Sequence, residues 1–347
     1  MRIKNYHISI VALVMLITTV SCRKEICYDH FPTVDLQFGW ELEWERDYGM
    51  NHKVTWDPSQ HRYEYDELRP SVPEWVKMIK YYDDGHMVEG FFDPDGKKFE
   101  VPVDDKCSML FYNGDTEYII FSDVASLTDA RAIATTRTRS GTSLQEMRDL
   151  YKVSRTTNPP DVIYSAFINE APTAQVHEVK PMSVKMQPLV YTYLVTYEFD
   201  KGIEHVAAAR GALGGMAEGV YLRTGVSTDE TSIILFDCEI HSDACRCQVR
   251  SFGIPGFPDS YYGRADQNAP AAPISLNLEV RLKSGKTKEF YFDVTDQVKN
   301  QPRGGVIKVS GISVDDDGDP SSSSGFDPSV SDWSDEVEVV IPIGPIK

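Results

Sequence analysis

The strongest constraint on the fold is a period of two that recurs along the chain in short runs. Val34, Leu36, Phe38 and Trp40 alternate with Asp35, Gln37 and Gly39, and Leu42 and Trp44 continue the same face. Successive side chains of a strand point to opposite faces, so this pattern encodes a strand with one buried side. Lys77 to Tyr82 and His86 to Phe92 read as two strands joined at Asp83-Asp84-Gly85, a hairpin signal. Strands follow at 98–103, 107–112, 117–121 and 162–168, with turns at Asp93-Pro94-Asp95-Gly96 and Asn113-Gly114-Asp115. Residues 123–157 break the pattern: Ala, Thr, Ser and Arg dominate, and 144–151 could form a short helix.

The second half starts over with strands at 177–186, 189–199, 232–240, 248–252, 274–282, 287–294, 306–314 and 336–343. Val206 to Tyr221 is crowded with Ala and Gly. Four glycines make a helix there costly, at roughly 1 kcal/mol each. The segment instead suits a place where another backbone or a helix approaches closely. Many short strands, short turns and few helices indicate an all-β chain of β-sandwiches. A length of 347 residues gives a prior of two domains. The expected division is 1–21 as a signal, 22–172 as an N-terminal sandwich and 173–347 as a C-terminal sandwich.

The N-terminus reads as an address. Arg2 and Lys4 precede an uncharged run over 8–20, and Ser21 and Cys22 follow. This is the layout of a secretory signal. The run is shorter than the roughly 20 residues that span a bilayer. Thr19-Val20-Ser21-Cys22 resembles the lipobox of bacterial lipoproteins, which implies diacylation of Cys22 through its thiol. Thr19 departs from the aliphatic residue usual at that place. Several acyl chains would hold the protein on a membrane, each buried methylene adding roughly 0.8 kcal/mol.

Charge narrows the partners. The formal charge of −18 opposes nucleic-acid binding, which needs clustered cations, and opposes attraction to anionic headgroups. Apart from Cys22, five cysteines remain. Cys238, Cys245 and Cys247 cluster beside His241. The C-x2-H-x3-C-x-C spacing is not a usual zinc pattern, and no metal site is assigned. In an exported protein the cluster reads as a disulfide with leftover thiols, or as thiols alone. Cys245 and Cys247 are poor partners for each other, whereas Cys238 could pair with either.

The remaining motifs carry little chemistry. Asp315 to Asp319 lacks the EF-hand pattern and reads as a solvated loop. Gly211, Gly214 and Gly215 lack the order and the Lys-Ser or Lys-Thr of a phosphate loop. No G-x-S-x-G or H-E-x-x-H occurs, and no catalytic residue or cofactor is assigned. Among the tryptophans, Trp40 and Trp44 sit on an apolar strand face and suit a core. Trp56 is the better candidate for an exposed aromatic that could stack on a sugar.

Several segments taken together resemble one family. They are Cys22 and Cys27, the strand ending at Trp40, the run 211–217 (GALGGMA), 292–298 (FDVTDQV), 304–309 (GGVIKV) and 325–333 (GFDPSVSDW). The arrangement is similar to Bacteroidales lipoproteins of the DUF5119 group, and through them to fimbrillin and the FimB/Mfa2-type fimbrial anchor proteins. The resemblance implies two tandem, Greek-key, transthyretin-like β-sandwich domains. It also implies lipid anchoring at the outer membrane, facing the surface, and a non-enzymatic role as fimbrial anchor, minor pilin or adhesin. The expected partners are the membrane, fimbrial subunits, and a host surface or glycan. Such subunits assemble by β-augmentation, and the alternating Val337, Val339, Ile341 and Ile343 suit strand exchange. The alternative is a glycan-binding lipoprotein of a polysaccharide uptake system.

Overall fold

The structure is a computed structural model that describes residues 32–41, 71–101, 106–139, 142–152, 155–171, 178–259 and 273–315. It is built almost wholly of strands. The first half contributes β1 (Thr33–Trp40), β2 (Val76–Tyr81), β3 (Met87–Phe92), β4 (Lys97–Glu100), β5 (Ser108–Asn113), β6 (Ile119–Ser122) and β7 (Arg131–Ala134). After helix α1 (Thr142–Tyr151) come β8 (Thr156–Thr157), β9 (Tyr164–Ile168) and β10 (Val179–Pro188). The second half adds β11 (Tyr191–Lys201), β12 (Val206–Ala217), β13 (Gly219–Tyr221), β14 (Thr231–Ile240), β15 (Ala244–Ser251), β16 (Ser275–Leu282) and β17 (Thr287–Asp293). Helix α2 (Thr295–Lys299) and β18 (Gly305–Ser313) follow.

Two large sheets result. The first runs β3-β2-β5-β9-β10-β1-β4, and the second runs β17-β16-β12-β14-β15-β11-β18 with β8 attached to β14. Each curls on itself. In the first, the Phe38 ring on β1 packs 5.8 Å from Phe111 on β5, although two strands, β9 and β10, separate them along the sheet. In the second, the Tyr197 hydroxyl on β11 donates to the Asn277 carbonyl on β16 at 2.8 Å. The turn-over point in each is a short ladder: β9 meets β10 through two residue pairs, and β14 meets β15 through two at the tip of their hairpin. Each curled sheet encloses its own core. One core gathers Val34, Leu36, Met78, Met109, Phe111 and Val184. The other gathers Tyr193, Tyr197, Leu213, Phe236, Leu278 and Ile307.

The first and last strands of each sheet lie side by side and parallel. β1 pairs with β10 from Thr33↔Val179 to Trp40↔Met186, and β11 pairs with β18. The alternation in the sequence is realised here: Val34 and Leu36 are buried while Asp35 and Gln37 face outward. β10 belongs to the first sheet, although the expected division at 172/173 would give it to the second. The change of sheet falls between Pro188 and Tyr191. The parallel partner of β10 is β1, 146 positions earlier in the chain, and no local signal announces such a pairing.

The two halves are also interlocked. β7 pairs with β13, and β8 lies parallel to β14. A further buried cluster takes Ile79, Leu110 and Tyr112 from the first sheet together with Val220, Leu222 and Phe252 from the second half. After β7, residues 137–139, helix α1 and β8 thus leave the first half and lie against the second sheet, Arg139 and α1 on its outer face.

That cover explains the small residues of β12. Leu144 and Met147 of α1 pack on Ala212, Ile233 and Leu235, with Tyr151 beside them. A Cβ on Gly214 would overlap the Tyr151 ring and lie 2.7 Å from the Met147 methyl. The segment is therefore a strand that a helix approaches closely.

Candidate functional site

Three regions could act on other molecules: the parallel β1 ladder, the β3 edge, and the β14–β15 hairpin. β1 is held between β10 and β4, with Thr33 opposite Glu100 and Leu36 opposite Lys97 on the β4 side. Its inward side chains bring aromatic contacts. Trp40 packs edge-on to Tyr164 at 5.0 Å and tilts against Phe38 at 6.1 Å, a core role consistent with its place on the apolar face.

β3 forms one edge of the first sheet, so among the described residues one side of its backbone has no neighbouring strand. Met87, Val88 and Phe91 are exposed along it, Phe91 at 61%. The Phe91 ring meets Trp75 edge-on at 5.6 Å, and the Lys77 ammonium lies 5.9 Å from its centroid while bonding Glu89 at 2.8 Å. An edge of this kind can accept a further strand through main-chain hydrogen bonds. Sequence reading marked Trp56, which lies outside the described residues, and did not single out the Trp75–Phe91 pair. The exposed aromatic on a hairpin return strand was the available signal.

The β14–β15 hairpin carries the cysteine cluster. Arg246 bonds Asp243 in bidentate fashion, at 2.8 and 3.1 Å, and stiffens the turn. Cys245 is buried in the second core, with Cys238 and Cys247 packed against it. The sulfurs of all three are unbonded. The Cys238 thiol is hydrogen-bonded to Cys247. Burial pushes the Cys245 thiol up to about 12 and raises Cys238 well above the ordinary thiol range, so both are protonated at neutral pH. His241 stands 3.7 Å from Glu239. Among the described residues no group of three or more His, Cys, Asp or Glu is placed to hold a metal ion. A cleft of about 290 Å³ opens beside the hairpin, lined by Leu194, Thr196, Asp237, Glu239, Arg246 and Gln248.

Cys22 and the segment bearing Val337, Val339, Ile341 and Ile343 lie outside the described residues, as do Asp316 to Asp319.

On the outer face of the second sheet, Glu279 receives two guanidinium groups. Arg210 reaches it at 2.6 Å and Arg139 at 3.9 Å. Arg139 also donates to the Gly211 carbonyl at 3.1 Å and to Asn277 at 2.8 Å. Burial lowers the Arg139 pKa to about 10, and Glu279 opposes that fall. This knot fastens the covering segment at Arg139 and is structural in character.

Comparison with known proteins places the fold. A candidate adhesin of Bacteroides ovatus is similar over 86% of this chain and 98% of its own, at 20% identity and a TM-score of 0.58. A candidate polysaccharide-binding protein of Bacteroides thetaiotaomicron aligns over 80% and 90% at 9% identity and a TM-score of 0.44. The fimbrial anchor protein Mfa2 of Porphyromonas gingivalis aligns over 81% and 90% at 9% identity, with the same TM-score of 0.44. These last two are too distant to weigh for either role. No curated protein matches the sequence. The model of a domain of unknown function, DUF5119, matches residues 62–237, from ahead of β2 through the covering segment and into β14. That stretch exceeds half the chain and spans the interlock between its two halves, and the chain belongs to the DUF5119 family.

Proposed function

We propose that the protein is a non-enzymatic, lipid-anchored protein of the cell envelope that serves as a fimbrial anchor, minor pilin or adhesin subunit. The observation that carries this reading is the strand economy of the fold. β1 fills the place between β10 and β4, while β3 offers an exposed edge. A chain of this kind can join others by strand addition without a dedicated pocket. The fold shared with the Bacteroides ovatus adhesin candidate supports the same direction. Cys22 would carry the lipid at the outer membrane. The alternating Val337, Val339, Ile341 and Ile343 would be the strand offered to a neighbouring subunit.

Fractionation of cells carrying Cys22→Ala tests the anchor. The variant is expected in the soluble fraction, and retention on membranes would sink the anchoring claim. Electron microscopy of a deletion strain tests the polymer role, and normal fimbriae there would count against it.

The exposed Phe91 with the half-buried Trp75 against it favours glycan binding as a second reading. Tryptophan fluorescence titrated with a panel of polysaccharides decides it: quenching that disappears in Trp75→Phe supports the glycan reading, and an unchanged spectrum counts against it.

A further inference from the structure

We propose that Cys238 and Cys247 form a cross-strand disulfide that joins the two layers of the second sandwich where they part, leaving Cys245 as a free thiol.

The register selects this pair. β14 and β15 face each other at Glu239↔Arg246 and Ile240↔Cys245. The same register carried one step further from the turn, just past the last ladder pair, sets Cys238 opposite Cys247. The His241 amide donates to the Ala244 carbonyl at 2.9 Å, which marks that pair as hydrogen-bonded. Pairs alternate along an antiparallel ladder, so Cys238 and Cys247 occupy a non-hydrogen-bonded site. At such sites the Cα atoms approach to about 4.5 Å, within the roughly 4.4–6.8 Å that a disulfide spans. The thiol of Cys238 is already hydrogen-bonded to the Cys247 sulfur. Cys245 is excluded on the same grounds. It lies diagonal to Cys238, at a spacing of about 7–8 Å, and its direct partner is Ile240.

The position gives the bond a structural task. Beyond this pair the two strands separate. Cys238 pairs onward with Ala209 of β12, and Cys247 with Val195 of β11, in the opposite layer. The bond would be a covalent rivet one step past the last ladder pair, Glu239↔Arg246, where the layers begin to part.

Formation is a thiol–disulfide exchange with a small disulfide as oxidant. The thiolate of one cysteine attacks the oxidant and expels one thiolate, giving a mixed disulfide. The second cysteine attacks that mixed disulfide and expels the other thiolate. The cysteines lose two electrons, the oxidant gains them, and the two protons pass to its thiolates. Burial disfavours the thiolate in the folded chain, so exchange belongs to folding, before the hairpin is covered. Formation in the cell rests on the envelope location proposed above.

The test is to refold the full chain in oxidised and reduced glutathione, alkylate free thiols under denaturing conditions, and map the peptides by mass spectrometry. A linked Cys238–Cys247 peptide with alkylated Cys245 is expected, and the same link should persist in Cys245→Ser. Any other pairing among the three, or full alkylation, would overturn the proposal. Alkylation trapping in intact cells then separates the two claims. A link in both settings upholds the pairing and the oxidising location. A link on refolding with free thiols in the cell upholds the pairing and overturns the location.

Discussion

Glu279 is the residue on which the covering segment depends. It is 5% exposed and is the shared partner of Arg139 and Arg210. Removing one member of a buried charge group strands the others, at a cost of about 3–5 kcal/mol. Glu279→Gln is expected to lower the urea midpoint by that equivalent in equilibrium unfolding followed by circular dichroism. Gly214 is constrained by space rather than charge. Gly214→Val would drive a side chain into Tyr151 and Met147, and overpacking of this kind costs about 1–3 kcal/mol by the same measurement. Cys245 gives a chemical readout. With its thiol pushed up to about 12 and buried, it should resist alkylation at mildly alkaline pH and react once urea unfolds the chain.

Elements differ in how legible they are. The strands with one wet face, such as β1 and β10, announce themselves because burial alternates with exposure along them. The β2–β3 hairpin is equally legible, since its turn residues are local. β7 and β8 escape sequence reading. Each is very short; β8 pairs with β14 in the other half of the chain, and β7, besides its neighbour β6, pairs with β13 there. The helix at 142–151 could be foreseen, and so could the close approach to the glycines of β12. That the one serves the other could not be, because the contact joins residues some 65 positions apart. For the thiols the sequence left two pairings open. Only the register of β14 against β15 distinguishes Cys247 from Cys245 as the partner of Cys238. Helix α1 carries its own expected outcome. Met147→Ala would open a void between the helix and Ala212, Ile233 and Leu235, and such truncations cost about 2–5 kcal/mol in chemical unfolding.

For the whole molecule, the shared cluster and the β7–β13 and β8–β14 pairings bind the two halves into one unit. Calorimetry should therefore record one cooperative transition, and two separate peaks would contradict the interlock. Alkali should weaken the fold. Burial raises Tyr81 and Tyr151 to about 12 from an ordinary 10.0, and Cys245 to about 12 from 9.0. The native state keeps these protons where the unfolded chain has lost them. Stability therefore falls as pH rises from about 9 towards 12, and the urea midpoint should fall with it.

The parallel pairing of first and last strands bears on how the molecule responds to force. In β1–β10 the chain enters the ladder at Thr33 and leaves it beyond Met186, at the opposite end. The same holds for β11 and β18. A pull on the two ends of either sandwich runs along the strands in opposite directions. The evenly spaced hydrogen bonds of a parallel ladder then bear the load together in shear, and none can peel open ahead of the rest. Each sandwich is closed against tension by the two strands through which tension would enter it.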